Sequence, residues 1–576
     1  MVTNSYKSGA RNSTEVNSNS MSQRLLVQAI RIALALGATV AALPSHAASL
    51  CPLSGSSTSI SSATTNTGVC DVSSHSITIN STGSLINDGT LNNNSVGTLN
   101  NSGGTLNNAG TLNNNSGGTL NNDGTLTNQS GQTLTNYGSV TNTKKLDNAG
   151  ILANYKSLLN QGAGTINNTG GLTNYTGSSL TNNGSLTNTG TGVVGLTNNV
   201  GATLTNNGTL NNGIATTAGT LTNAGTLLNA YTLTNNASST LTNSGGLTNQ
   251  FGATVDNAGS LANSGTLSNA GGLTIESNAN LTNTGSLNNQ GSGTLDAIGN
   301  LTNATGGNLE NAGTLTIEST ATLTNNGTMT NDGNGGNVNN NGSLIENNIL
   351  TNNGIITNNG TFNVTTTGTV NGTGSVTQPT GLVQQGTGLT IVNGSLVGQS
   401  FVDIQTGTLQ GAGTVSTQTG LTIDTGAILS PGNSPLATGT LNVNGDVIEN
   451  GIVSMAINGP SNGHYPLVGP FDVLNVIGNI DFGSFSVLSI DFSSFLTKPG
   501  MYWDLIIANS ISDWGNETIQ VTGLLPNISY VVEEVALAGG REAVELQILA
   551  TPIPAALWLA FSGMVVLGRF VRRGVV

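Results

Sequence analysis

The chain has 576 residues, of which 12 are Lys or Arg and 26 are Asp or Glu, so only 7% are charged and the formal charge is −14. An ordinary soluble domain carries about 25% charged residues, and a basic nucleic-acid binder is excluded because no positive footprint exists to displace counterions from phosphates. With 81 glycines, 12 prolines and 36% hydrophobic residues, the composition fits neither collagen nor a highly charged disordered chain.

Arg24 and Arg31 lead into an apolar run at residues 32–43, and Pro44-Ser45-His46-Ala47-Ala48 follows. A basic start, a short apolar stretch and small residues are the parts of a secretory signal peptide. The run is too short for a comfortable membrane span. Residues 1–47 are therefore assigned to a leader cleaved after Ala47 or Ala48, and a start at Met21 gives it ordinary length. Residues 48–80 are expected to form an N-terminal cap. They hold the two cysteines, Cys51 and Cys70, which in an exported chain are expected to form one disulfide; two unpaired buried thiols are the alternative. No metal set is expected, since only His75 and His464 lie beyond the leader.

Residues 81–378 are a repeat. Units such as Gly104-Thr105-Leu106-Asn107-Asn108-Ala109 recur, with apolar anchors at Leu106, Leu112, Leu120, Leu126 and Leu134 and again from Leu261 to Leu323. The anchors are spaced almost always by six or eight residues, which writes no amphipathic helix. On an extended strand, Leu and the Asn two residues later point to the same side. Short strands of about three residues, with glycine bending the chain through positive φ, bury nothing alone. Stacked coil on coil, they align Leu into one interior ladder and Asn into another whose amides bond above and below. The expected fold is all-β, a parallel β-solenoid. Steps of six, six and eight suit a three-sided coil and steps of six and eight a two-sided one, so spacing leaves the cross-section open. Asn-Gly pairs such as Asn183-Gly184 and Asn326-Gly327 would ordinarily signal hairpins, but six-residue units leave no room for hairpin strands. There is no proline between Pro52 and Pro379 and no Lys or Arg between Lys156 and Lys498, as suits continuous ladders. Asp256, Glu276, Glu310 and Glu318 are expected on outward positions.

Residues 379–549 carry longer β-like segments and larger side chains, including Trp503 and Trp514. The order of Gly407-Thr408-Leu409-Gln410-Gly411, Leu429-Ser430-Pro431-Gly432-Asn433-Ser434-Pro435, Phe471-Asp472-Val473-Leu474 and Trp503-Asp504-Leu505-Ile506 resembles the segment that ends the passenger β-helix of autotransporter adhesins. No membrane barrel is expected after it. The resemblance implies a distal solenoid and C-terminal β cap domain.

Residues 550–576 open with Pro552-Ile553-Pro554-Ala555, continue as a short apolar stretch and end on Arg569, Arg572 and Arg573. Physically this is a membrane-stop element with positive charge left inside. The residues resemble the PEP-CTERM class of sorting signals in its Val-Pro-x-Pro-Ala variant, although Thr551 stands where that variant has Val and Gly574-Val575-Val576 follows the arginines. The resemblance implies processing by an exosortase of a Gram-negative cell after a transient stay in the inner membrane.

β-Solenoids include polysaccharide lyases and hydrolases, so fold alone does not exclude catalysis. Lys144, Lys145 and Lys156 read as a solvated patch. Glu310 and Glu318 lack the convergent carboxylate context of a glycosidase and read as surface residues. The 331–336 stretch lacks the acid spacing of a calcium loop, and His464 reads as a loop residue. No catalytic residue, cofactor or metal is assigned. The expectation is an exported, sorted structural or adhesin-like protein of the cell surface or extracellular matrix, with exosortase, the general secretion machinery and exopolysaccharide as partners. A polysaccharide-degrading lyase or hydrolase on the same fold is the alternative.

Overall fold

A computed structural model describes residues 57–549, apart from 192–194, 334, 366, 373–380, 386–387, 433–436, 462–468, 493–494 and 527. The leader, Cys51, Asn433 to Pro435, His464 and the C-terminal motif with its arginines lie outside the described residues.

Every regular element among the described residues is a strand; there are 65, from Thr58–Ile60 to Glu542–Leu549. The first 63 fall in threes, one strand to each of three sheets, which makes 21 coils. At about 4.8 Å per coil the stack is on the order of 100 Å long. The pairing between coils is parallel and in register, as where Leu99, Leu120 and Val140 sit above one another on the first sheet. The fold is thus a parallel β-solenoid, and the cross-section that spacing left open is three-sided. Anchor steps of six and of eight are short and long corners of the same triangle.

The repeated strands have four residues rather than three, as in Thr119–Asn122, and alternate outward, inward, outward, inward. Leu120 and Asn122 both point in, and both are almost wholly buried. Each buried Leu contributes about 1.5–3 kcal/mol. The asparagines are satisfied in the same way throughout. Asn87 Nδ2 donates at 2.8 Å to Oδ1 of Asn108 in the next coil and at 2.8 Å to the carbonyl of Thr111, which opens the next strand of that coil. One amide hydrogen runs along the ladder and the other clamps a corner, so both donors of a buried group are used.

Three such ladders run inside the solenoid, and in each the Nδ2 of one coil donates to the following coil. The first extends from Asn101 to Asn352, the second from Asn66 to Asn257 and the third from Asn93 to Asn325. The second is interrupted where Ile275, Ala297 and Ile317 take the Asn position and resumes at Asn340. In the distal coils the inward pairs turn aliphatic, as with Leu421 and Ile423, Leu441 and Val443, or Leu488 and Ile490.

Glycine has two jobs, and positive φ is only one of them. In the longer corners a residue does enter the left-handed region, such as Gly117 at φ 83°. The commoner glycine just before a strand does not. Gly124 keeps φ outside the left-handed region, yet an added Cβ would collide with the carbonyl oxygen of Gly104 in the neighbouring coil. The corners of successive coils touch backbone to backbone there, and close approach, not bending, excludes a side chain.

Strands between Thr58 and Ile79 already join the same parallel ladders. At the far end Glu542–Leu549 pairs antiparallel with both Tyr502–Ala508 and Ser529–Ala536, prolonging the first sheet alone. Trp503 is fully buried, donates Nε1 to the Gly459 carbonyl at 2.9 Å, and meets Phe492 and Phe495 edge-on. Trp514 is half-buried, edge-on to Phe482.

Candidate functional surface

Because each strand turns two side chains outward, each face of the solenoid carries two columns of side chains at coil spacing. On all three faces these are mostly Thr, Ser and Asn. Many of the outward asparagines bond to one another between coils, as Asn121 does to Asn100 at 2.9 Å and Asn113 to Asn92 at 2.9 Å.

The charged residues singled out from sequence do not converge. Lys145 stands on the second face and forms a 2.7 Å ion pair with Asp147. Lys144 is an exposed corner residue whose carbonyl accepts from Thr165. Lys156 is exposed at the corner between the third and first sheets, beside Tyr155. Glu310 projects from the first face and accepts from Asn288 at 3.0 Å. Glu318 lies at the corner between the second and third sheets, so a whole strand of the second sheet separates it from Glu310. Asp256 and Asp296 both project from the second face. Burial, then Glu318 and Glu276, hold Asp296 above the usual carboxylate range, and burial does the same to Asp256. Asp332 sits in a corner where its carbonyl accepts from Gly336 at 2.9 Å. His75 Nδ1 lies 2.6 Å from the Ser73 carbonyl. Among the described residues no three His, Cys, Asp or Glu side chains group as a metal site. Cys70 is buried in the first coil.

Two surface features were not anticipated. Tyr137, Tyr155 and Tyr175 stack face to face across three successive coils, with centroids 4.5 and 4.2 Å apart and planes within 13°. Each directly follows a ladder asparagine of the third sheet, a regularity visible in the sequence. Burial and the flanking hydroxyls push the Tyr155 phenol up to about 12. The second feature is a shallow groove of about 420 Å³ along the corner between the first and second sheets, lined by residues 162–165, 183–185 and 207–209 with Tyr231 at one end.

Among the described residues five acids are buried, Glu346, Glu449, Asp472, Asp504 and Glu545, and three of them have a raised pKa. Glu346 and Glu449 are fully buried and Asp472 nearly so. Glu346 and Glu449 stand two residues after Leu344 and Val447, which is the place of the ladder asparagine. That spacing was the signal for them. Burial lifts Glu346 to about 7, Glu449 to about 8 and Asp472 to about 7. None of the three opens onto the groove.

Neither a scan against protein-family models nor a search of curated proteins returns a match to this chain.

Proposed function

We propose that the protein is exported, sorted at its C-terminus by an exosortase and displayed at the cell surface or in the extracellular matrix, where it acts as a structural, adhesin-like rod associated with exopolysaccharide. The observation that carries this reading is the outer surface. Rows of Thr, Ser and Asn repeat at every coil over the solenoid, and hydroxyl and amide rows can exchange hydrogen bonds with polysaccharide hydroxyls along the full length of a chain. The address segments support it from either side: the leader before Ala48 and the sequence from Pro552 to Arg573 read as export and sorting signals. Exosortase, the secretion machinery and, transiently, the inner membrane are the partners this implies.

The test is co-sedimentation of the purified full chain with matrix exopolysaccharide, while the supernatant is assayed for reducing ends and unsaturated sugars. Retention on the polymer without release supports a structural role. Turnover would transfer the reading to a lyase or hydrolase built on the same solenoid.

A further inference from the structure

The three faces differ in one respect. The first carries Leu159, Leu228 and Glu310 on its outward columns. The second carries Lys145, Asp147, Asp256 and Asp296. The third, between Gly171 and Thr324, carries no charge and no aromatic ring on either outward column. Its inner outward column runs from Thr173 to Thr324 with threonine in every coil except that of Ala262. The companion column is Thr, Ser or Asn in each coil from Thr220 to Thr322. Glu276 and Glu318 lie at the corner that leads into this face, not on it.

We propose that this third face is an ice-binding surface, whose ligand is the ordered water lattice itself. Three observations converge on that ligand. The hydroxyls of Thr222, Thr242, Thr282 and Thr302 take no hydrogen-bond partner from the described residues, in contrast to the outward asparagines that bond along their own columns. Each is therefore free both to donate and to accept. Second, the array is two-dimensional. Register is kept residue for residue from Thr222 to Thr242 and from Thr282 to Thr302, so side chains repeat at about 4.8 Å between coils and about 6.6 Å along a strand. Those distances approach the spacings of oxygen rows on a prism face of hexagonal ice. Third, the array is held rigid from beneath by the asparagine ladder from Asn198 to Asn325 on the same sheet, so little conformational freedom is left to lose on binding.

A polysaccharide chain needs only one column and gains from aromatic platforms, which this stretch does not have. A lattice needs both columns, no ionic groups and repeated methyl and hydroxyl groups together, which threonine supplies. The proposal is independent of the matrix reading and can fail without it.

The experiment freezes the fluorescently labelled full chain slowly into a growing ice hemisphere and scores recrystallisation of fine ice in parallel. The unaltered protein is expected to enter specific ice planes and to suppress recrystallisation. Thr242→Lys and Thr282→Lys, which place charge on the third face, are expected to be excluded from ice. Thr205→Lys, at the equivalent outward place on the first face, is expected to behave as the unaltered protein. Circular dichroism of all three variants, expected to match that of the unaltered protein, is the control for folding. Exclusion of the unaltered protein from ice overturns the proposal, as does equal behaviour of first-face and third-face variants. Loss of neutral polysaccharide binding by the third-face variants, with no ice uptake by any of them, overturns it in favour of a sugar ligand.

Discussion

The amide nitrogen of Asn325 lies 2.9 Å from both carboxylate oxygens of Glu346, one coil further on. Each asparagine of the third ladder donates to its successor, so the last residue has only to accept, and a carboxylate does that. Beyond it, the equivalent place is Val364, which offers nothing to bond. The ladder thus ends on an acceptor at the point where its own column turns aliphatic, with Val364 and then Val392. Glu346 also accepts from the Asn348 amide at 2.9 Å.

This terminator should make the protein sensitive to pH. Burial raises Glu346 to about 7, Glu449 to about 8 and Asp472 to about 7, so in the folded chain each keeps a proton that the unfolded chain gives up near pH 4–4.5. Where the native state holds more protons than the unfolded state, stability falls as pH rises. The melting temperature should therefore decline between pH 5 and pH 8 and level off above. Glu346→Gln keeps the shape and an acceptor for Asn325. It should remove the Glu346 share of that decline, leaving that of Glu449 and Asp472, and stabilise the protein at pH 8 by on the order of 3 kcal/mol. Thermal unfolding of both forms at pH 5 and pH 8 checks it; a melting temperature that rises towards pH 8 would refute the linkage.

The ladders should be unequal along their length. Asn206→Leu leaves the Asn182 donor and the Asn229 acceptor without partners, and each orphaned buried group costs about 1–3 kcal/mol. Each substitution also releases one corner carbonyl, that of Thr232 or of Asn280, but along the ladder Asn257→Leu orphans only the Asn235 donor, because the next residue is already Ile275. Denaturant unfolding should show the first substitution to be the more destabilising, by roughly one orphaned group.

Corner positions should answer oppositely to small substitutions. Gly265→Ala drives a Cβ into the Gly245 carbonyl and should be strongly destabilising, whereas at Gly252 an added Cβ meets open space and only the positive φ of 78° opposes it. That costs about 1–2 kcal/mol. Val96 holds φ 59° in the long corner where the next coil has Gly117, so Val96→Gly should raise the melting temperature, despite the flexibility that glycine adds to the unfolded chain.

The tyrosine stack should be visible in solution. Ultraviolet titration of the folded protein should reveal one phenol ionising near 12, well above the ordinary value near 10. Tyr155→Phe should remove that step and leave the remaining tyrosines.

The spacing of Leu and Asn was sufficient to read the fold, because only a stacked coil buries both on one side of so short a strand. It was not sufficient to read the cross-section. Steps of six and eight encode corner length, and the number of corners per coil is set by which strand meets which, information that identical repeats do not carry. Positive φ holds at corners such as Gly117, but the second role of glycine was not legible for a related reason: at Gly124 the constraint comes from a backbone about 20 residues away in the neighbouring coil, not from the local turn. The inward acids were legible in principle, since Leu344-Ile345-Glu346 fits the Leu-x-Asn frame, but Glu is rarely buried and the frame was not applied to it. The threonine array was seen only as composition. Its alignment in one nearly unbroken column on an uncharged stretch of the third face appears once the three sheets are separated.

The central claim, that this solenoid is exported and displayed outside the cell, is tested most directly by probing intact cells with an antibody to the solenoid, with and without residues 550–576. The account predicts labelling of the surface or matrix by the full chain and its loss on truncation, with the protein then held behind the outer envelope. Full-length protein confined to the cytoplasm, or surface display unchanged by the truncation, would contradict it.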